Sequence, residues 1–342
     1  MDDPLKAFSG LFFHPGERRL RALLRLAVHL LAVLAWGLLL AGIAFVMALA
    51  AAAVWGEAAV RALAHDAASG PFAMLAVMSA NFVIIVPPTL LVARFVDRRS
   101  LAELGIPLRP RALLGLGSGA LLGAALISGI AVIEAATGLA RYAVTPSDPF
   151  ALATSVLIFV MVAVHEELLF RGYQLTNLAE GLNLGEPTDT SRVRGLVLAT
   201  LLTSLGFGAA HLMNPNPSVL GITNIALAGV LLSLPFVLRG ELGLSIGLHF
   251  GWNLAQSWLG MAVSGNAIPG ALLARELDPG SELVTGGAFG AEGGLLGLGA
   301  LVVGIVFVVP LSILTRDPGR ATALGGAPER TLTPPAVAPE RG

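Results

Sequence analysis

Long unbroken apolar stretches alternate along this chain with short segments that hold nearly all of its charge. Eight stretches have the length that a ~30 Å hydrocarbon layer requires: roughly 28–54, 73–96, 112–136, 150–171, 195–213, 219–238, 242–262 and 294–314. Backbone N–H and C=O groups inside hydrocarbon must be satisfied within the segment, which makes such stretches helices. The pattern therefore predicts an all-α fold, a polytopic membrane helix bundle of about eight transmembrane helices over residues 28–314. Ahead of it, residues 1–27 set Leu11, Phe12 and Phe13 beside Arg18, Arg19, Arg21 and Arg25, the pattern of an interfacial amphipathic segment. The first apolar run is too long, and its basic leader too irregular, for a cleaved signal peptide. Residues 264–293, Gly-rich with Glu276, Asp278, Glu282 and Glu292, read as the longest polar loop. Residues 315–342 have no periodicity and read as a disordered cytoplasmic tail.

Composition agrees with a membrane protein. Hydrophobic residues make up 55% and charged residues 13% of the 342, against about 25% charged in soluble domains. The net charge of −1 is uninformative about nucleic acid, and with no basic stripe present no nucleic-acid partner is expected. The chain has no cysteine, which excludes disulfides, thiolate metal sites and a cysteine nucleophile. Arginine and lysine divide unevenly between the two ends of the spans. Seventeen fall on the side of Lys6, Arg25, Arg98, Arg192, Arg239 and Arg316, three (Arg61, Arg141, Arg275) on the other, and Arg171 inside. Positive residues collect on the cytoplasmic side, so both termini are expected there. The Ala/Gly/Leu/Arg-rich composition suits a bacterial multi-pass protein of the plasma membrane.

Against this apolar background three polar clusters stand out: Glu166-Glu167-Leu168-Leu169-Phe170-Arg171, Phe207-Gly208-Ala209-Ala210-His211 and His249-Phe250-Gly251-Trp252-Asn253. Ionisable residues at membrane depth cost at least ~2.5 kcal/mol each and are functional by default. Glu167 and Arg171, four apart with the acid first, have the spacing of an intrahelical ion pair, a structural pair that lets both charges exist in low dielectric. Glu166 points about 100° away and is suited to act as general base; the blander reading makes all three a structural clamp. His165 reads as a hydrated residue near a helix end. It does not open a helical zinc motif, because Leu169 stands where a second histidine is needed. Phe207 and His211 share a helix face that ends at the breaker Asn214-Pro215-Asn216-Pro217. In the seventh span Gly243, Gly247 and Gly251 form a packing stripe. Ser245, His249, Asn253 and Ser257 lie nearly opposite. They serve either to hydrogen-bond between helices or, through His249 and Asn253, to stabilise an oxyanion. Gly115, Gly119 and Gly123 read as packing alone.

Taken in order on successive apolar helices, these motifs resemble the CAAX prenyl endopeptidase and bacteriocin-processing (CPBP, or Abi) family of intramembrane proteases. The resemblance covers residues ~150–260 and implies a helical bundle with its catalytic core there. It implies that Glu166 is the general base, that His211 helps hold the attacking water, that His249 and Asn253 stabilise the oxyanion, and that Glu167 and Arg171 are structural. Two mechanisms stay open. One needs no cofactor; in the other Glu166, His211 and His249 ligate zinc. The metal-free version is favoured because Asn253 is a poor zinc ligand and a good oxyanion donor. The expected function is an endopeptidase acting on a membrane-associated or lipidated peptide within the lipid bilayer. The alternatives are a non-catalytic binding or immunity factor of the same fold, or a transporter. A transporter would more often show paired broken helices, whereas Pro87-Pro88 has no counterpart.

Overall fold

The computed structural model describes residues 20–69, 72–106, 110–183 and 188–317. The expectations for the leader up to residue 19 and for the tail beyond 317 fall outside those residues. Helix α1 (Ala22–Trp55) is followed by α2 (Glu57–Ser69), α3 (Ala73–Phe95) and α4 (Pro110–Thr137). Strand β1 (Ala140–Val144) leads into α5 (Pro149–Glu167), which continues as a π-helical segment (Leu168–Leu175) and α6 (Thr176–Gly181). Then come α7 (Asp189–Ala210), α8 (Val219–Arg239), α9 (Gly243–Trp258), β2 (Leu273–Leu277), α10 (Glu282–Thr285) and α11 (Leu295–Leu314).

Among the described residues seven helices are long and apolar enough to cross a membrane: α1, α3, α4, the continuous Pro149–Gly181 rod, α7, α8 and α11. The remaining expected span is α9, only 16 residues and thus ~24 Å long at 1.5 Å per residue. Gly243 through His249 are all buried, so α9 sits inside the bundle with protein on every side.

The glycine stripes explain why α9 lies there. A Cβ on Gly247 would run into the backbone of Leu116, and one on Gly251 into that of Ala120. From the other side, a Cβ on Gly119 or Gly123 would meet the backbone of α9 at Leu244, Gly247, Leu248, Gly251 and Trp252. The two helices interlock through small residues, the close approach such stripes permit in membranes. Gly119 and Gly123 thus pack as expected, while Gly115 faces the Arg239 guanidinium.

Two regions differ from their expected form. Helix α1 begins six residues before the expected span, and Arg25 is buried (3% exposed) rather than at an interface. Its charge is met by Glu180 at 2.7 Å and Asp97 at 3.7 Å, and Asp97 also accepts from Asn177 Nδ2 at 2.9 Å. Burial raises the Asp97 carboxyl above the usual range, against the pull of Asn177, Arg25 and Arg99. The stretch expected as a loop over 264–293 is also structured. Strand β2 pairs antiparallel with β1 in the register Ala140↔Leu277 to Val144↔Leu273. Arg275, on β2, reaches the fully buried Glu134 of α4 with Nη2 at 2.5 Å and Nε at 3.0 Å, and Tyr142 donates to the same carboxylate at 2.5 Å. A polar-looking segment therefore folds back because one of its cations neutralises an acid of the bundle.

Candidate active site

Helix α5 is started by Asp148, whose side chain accepts from the Phe150 N–H, with Pro149 in the first turn. It changes to π geometry just after Glu166 and Glu167. Short π segments inside helices often mark functional positions, and here the change falls where both carboxylates leave the helix. Glu167 is fully buried and Arg171 is 1% exposed. The expected pair forms, with Arg171 Nη1 donating to Glu167 Oε1 at 2.9 Å and Nη2 donating to the Gly229 carbonyl at 3.1 Å. The guanidinium also sits 4.4 Å from the centre of the Phe207 ring, a cation–π contact.

The same Glu167 oxygen accepts a second bond, from His249 Nδ1 at 2.9 Å. A carboxylate can only accept, so Nδ1 carries the proton and the ring is held by Glu167 much as a metal-bound or catalytic histidine is held by its carboxylate partner. Nε2 then points toward Glu166, 3.7 Å from Oε2. Glu167 is thus both the partner of Arg171 and the positioning residue for His249. The helix spacing of the sequence contained no sign of this link, because its ends lie 82 positions apart.

Glu166 lines a cavity of about 250 Å³ together with His211, His249 and Asn253. All four expected catalytic side chains therefore face one space, while Glu167 and Arg171 form its backing. Glu166 Oε2 is buried and accepts no hydrogen bond from the described residues, and its Oε1 lies 4.0 Å from His165 Nε2. His211 follows the last turn of α7, where the chain turns through residues 211–216 at the expected breaker. Its Nδ1 donates to the Phe207 carbonyl at 2.8 Å, leaving Nε2 as the free ring nitrogen. Phe207 is the hub of the site. Its ring meets Phe170, His211 and His249 edge-on at centroid distances of 5.2, 5.0 and 6.1 Å.

His165 is not the hydrated residue that its place in the sequence suggested. It is 4% exposed, donates from Nδ1 to the Met161 carbonyl at 2.8 Å, and lines the cavity. Glu292 was read as one of several loop acids, yet it too lines the cavity and is 8% exposed. Its Oε2 accepts from the Ser264 N–H at 2.7 Å and Oγ at 3.0 Å. Ser264 adopts φ 47° to make these bonds, and its carbonyl accepts from Asn214 Nδ2 at 3.0 Å. Burial raises the Glu292 carboxyl above the usual range; the Ser264 bonds and the His211 charge oppose the shift. A signal was present in its position directly before the last apolar span, but acids at such boundaries are ordinarily solvated.

Among the described residues no three His, Asp or Glu side chains converge as a metal-ligand set. Glu166, His211 and His249 all line the one cavity. No curated protein and no solved structure matches the chain. A family model described as type II CAAX prenyl endopeptidase Rce1-like matches residues 148–255. The match begins at the Asp148 cap of α5 and ends just past Asn253, so it takes in all three polar clusters. Over this segment the chain is similar to the Rce1-like type II CAAX prenyl endopeptidases.

Proposed function

We propose that this protein is an intramembrane endopeptidase that hydrolyses a peptide bond of a membrane-associated or lipidated polypeptide by a metal-free mechanism. The observation that carries the reading is the unpartnered Glu166 Oε2, facing His249 Nε2 across 3.7 Å at the wall of an apolar cavity. Glu166 takes a proton from water as general base, and the free Nε2 of His211 helps hold that water. Attack on the peptide carbonyl moves negative charge onto its oxygen. Protonated at Nε2, the His249 ring donates to this oxygen, joined by the Asn253 amide; fixed donors of this kind act most strongly where water is excluded. When the intermediate collapses the C–N bond breaks and the proton held by Glu166 passes to the departing amine. Glu167 keeps His249 in register, and Arg171 offsets the Glu167 charge. The protein does not need to read a prenyl group for this chemistry, since an apolar cavity accepts acyl or prenyl chains and apolar side chains alike.

The test is cleavage of a peptide library in detergent by the wild type and by Glu166→Gln. The variant keeps the side-chain volume and removes the proton acceptor, so turnover is expected to fall by ~10²-fold or more. Asn253→Ala is expected to lower kcat by ~10²–10³-fold with KM little changed, because its bond strengthens in the transition state. Cleavage by Glu166→Gln at the wild-type rate would refute the assignment. One equivalent of zinc lost with His249→Ala, and activity restored only by added metal after chelation, would replace the metal-free chemistry and leave the protease reading intact.

A further inference from the structure

The cavity occupies one end of the bundle. Helices α1, α4, α7 and α9 run away from the face where seventeen of the twenty-one basic residues collect, and α3, α5, α8 and α11 run toward it. The cavity is lined by Met74 and Met78 from the first turns of α3, and by His211 and Asn214 directly after α7. The remaining wall at that end comes from Ser264, Asn266 and Glu292, in the segment between α9 and α11. These positions all lie at the end away from the basic face. Several are partly open, including Met74, Met78, His211, Asn214 and Asn266. In the opposite direction the site is closed. Behind Glu166 come the buried Glu167–Arg171 pair, then Tyr173 and Leu242, which are at most 1% exposed.

We propose that the cavity opens to the non-cytoplasmic face and takes polypeptide segments presented from that side of the bilayer, not chain ends lipidated on the cytoplasmic leaflet. The substrate half of this statement rests on the protease reading above; the direction of opening does not. Positive residues stay cytoplasmic because their translocation is disfavoured, and the imbalance here is seventeen against three. A cytoplasmic chain end would have to pass the Glu167–Arg171 layer, which is closed by hydrogen bonds and by the cation–π contact of Arg171 with Phe207. A segment on the other side meets Asn214, Asn266 and the cavity wall at once.

The chain has no cysteine, so single cysteines report accessibility without background. Met78→Cys in the cavity and Ala323→Cys in the tail are treated with a charged, membrane-impermeant thiol reagent, in intact cells and in inside-out vesicles. Asn266→Cys replaces Met78→Cys if that variant does not accumulate. The cavity cysteine is expected to react from outside intact cells, and the tail cysteine only in inside-out vesicles. Reaction of both from the same side overturns the proposal. A second arm uses membrane-tethered peptide libraries displayed on either face, with wild type and Glu166→Gln. Cleavage of the outer library alone, lost in Glu166→Gln, supports the proposal. Cleavage confined to the cytoplasmic library and dependent on Glu166 overturns it and leaves the protease reading standing. Cleavage of neither library overturns the protease reading and the substrate claim with it, while the labelling still decides the direction of opening.

Discussion

Arg171 is satisfied on three sides at once, by the Glu167 carboxylate, the Gly229 carbonyl and the face of Phe207. Removing one partner of a buried pair leaves the other charge without compensation, at a cost of ~3–5 kcal/mol. Arg171→Ala is therefore expected to lower thermal stability in detergent sharply, and to lower activity because Glu167 also holds His249. An unfolding temperature equal to that of wild type would show that the pair is dispensable. Glu292 makes a prediction of opposite sign. Its carboxyl is raised in the fold, so it binds its proton more tightly folded than unfolded. The stability this contributes is complete below the unfolded carboxylate range and is lost as pH rises through the folded value. Glu292→Gln, fixed in the neutral state, is expected to gain thermal stability relative to wild type as pH rises and to gain nothing in acid. A difference that does not vary with pH would mean that burial of this carboxyl does not govern its titration.

At the scale of elements, the site depends on how closely α4 and α9 approach. His249 and Asn253 point into the cavity because the opposite side of α9 is pressed against the α4 backbone through Gly243, Gly247 and Gly251. Gly247→Ala places a methyl group against the Leu116 backbone, which cannot move aside as a flexible side chain would. The variant is expected to lose ~1–3 kcal/mol, the usual cost of overpacking, and to lose activity as His249 shifts from Glu166. Gly129→Ala on α4 has open space around the added methyl and serves as the control, with stability and activity unchanged. Equal effects from the two substitutions would argue against the interlock. The stripe and its opposite polar face were both legible in the sequence, because helix periodicity alone separates them.

At the scale of the whole molecule, the segment between α9 and α11 closes one end of the bundle and carries Glu292 into the cavity. Its anchor is the buried Arg275–Glu134 pair, supported by Tyr142 and by the β1–β2 register. Arg275→Met is expected to strand Glu134 and loosen this segment, read as faster proteolysis between residues 264 and 293 and as lower activity. Proteolysis no faster than in wild type would assign the hold to the strand pairing instead.

The apolar runs, the alternation of basic residues and the spacings Glu167–Arg171, Phe207–His211 and His249–Asn253 are properties of single segments. Hydropathy and helical period therefore determined the class, the spans and most of the candidate site. The joint role of Glu167, the burial of His165, and the arrival of Glu292 beside His211's cavity depend on contacts between distant segments. No local period encodes them. The same holds for Arg25 and Arg275, which look like ordinary surface cations along the chain and are buried because acids elsewhere meet them. Local sequence sets which face of a helix is polar; only the packed bundle decides which polar groups meet, because that depends on the close approach of backbones and on neutralising charge in a medium without water.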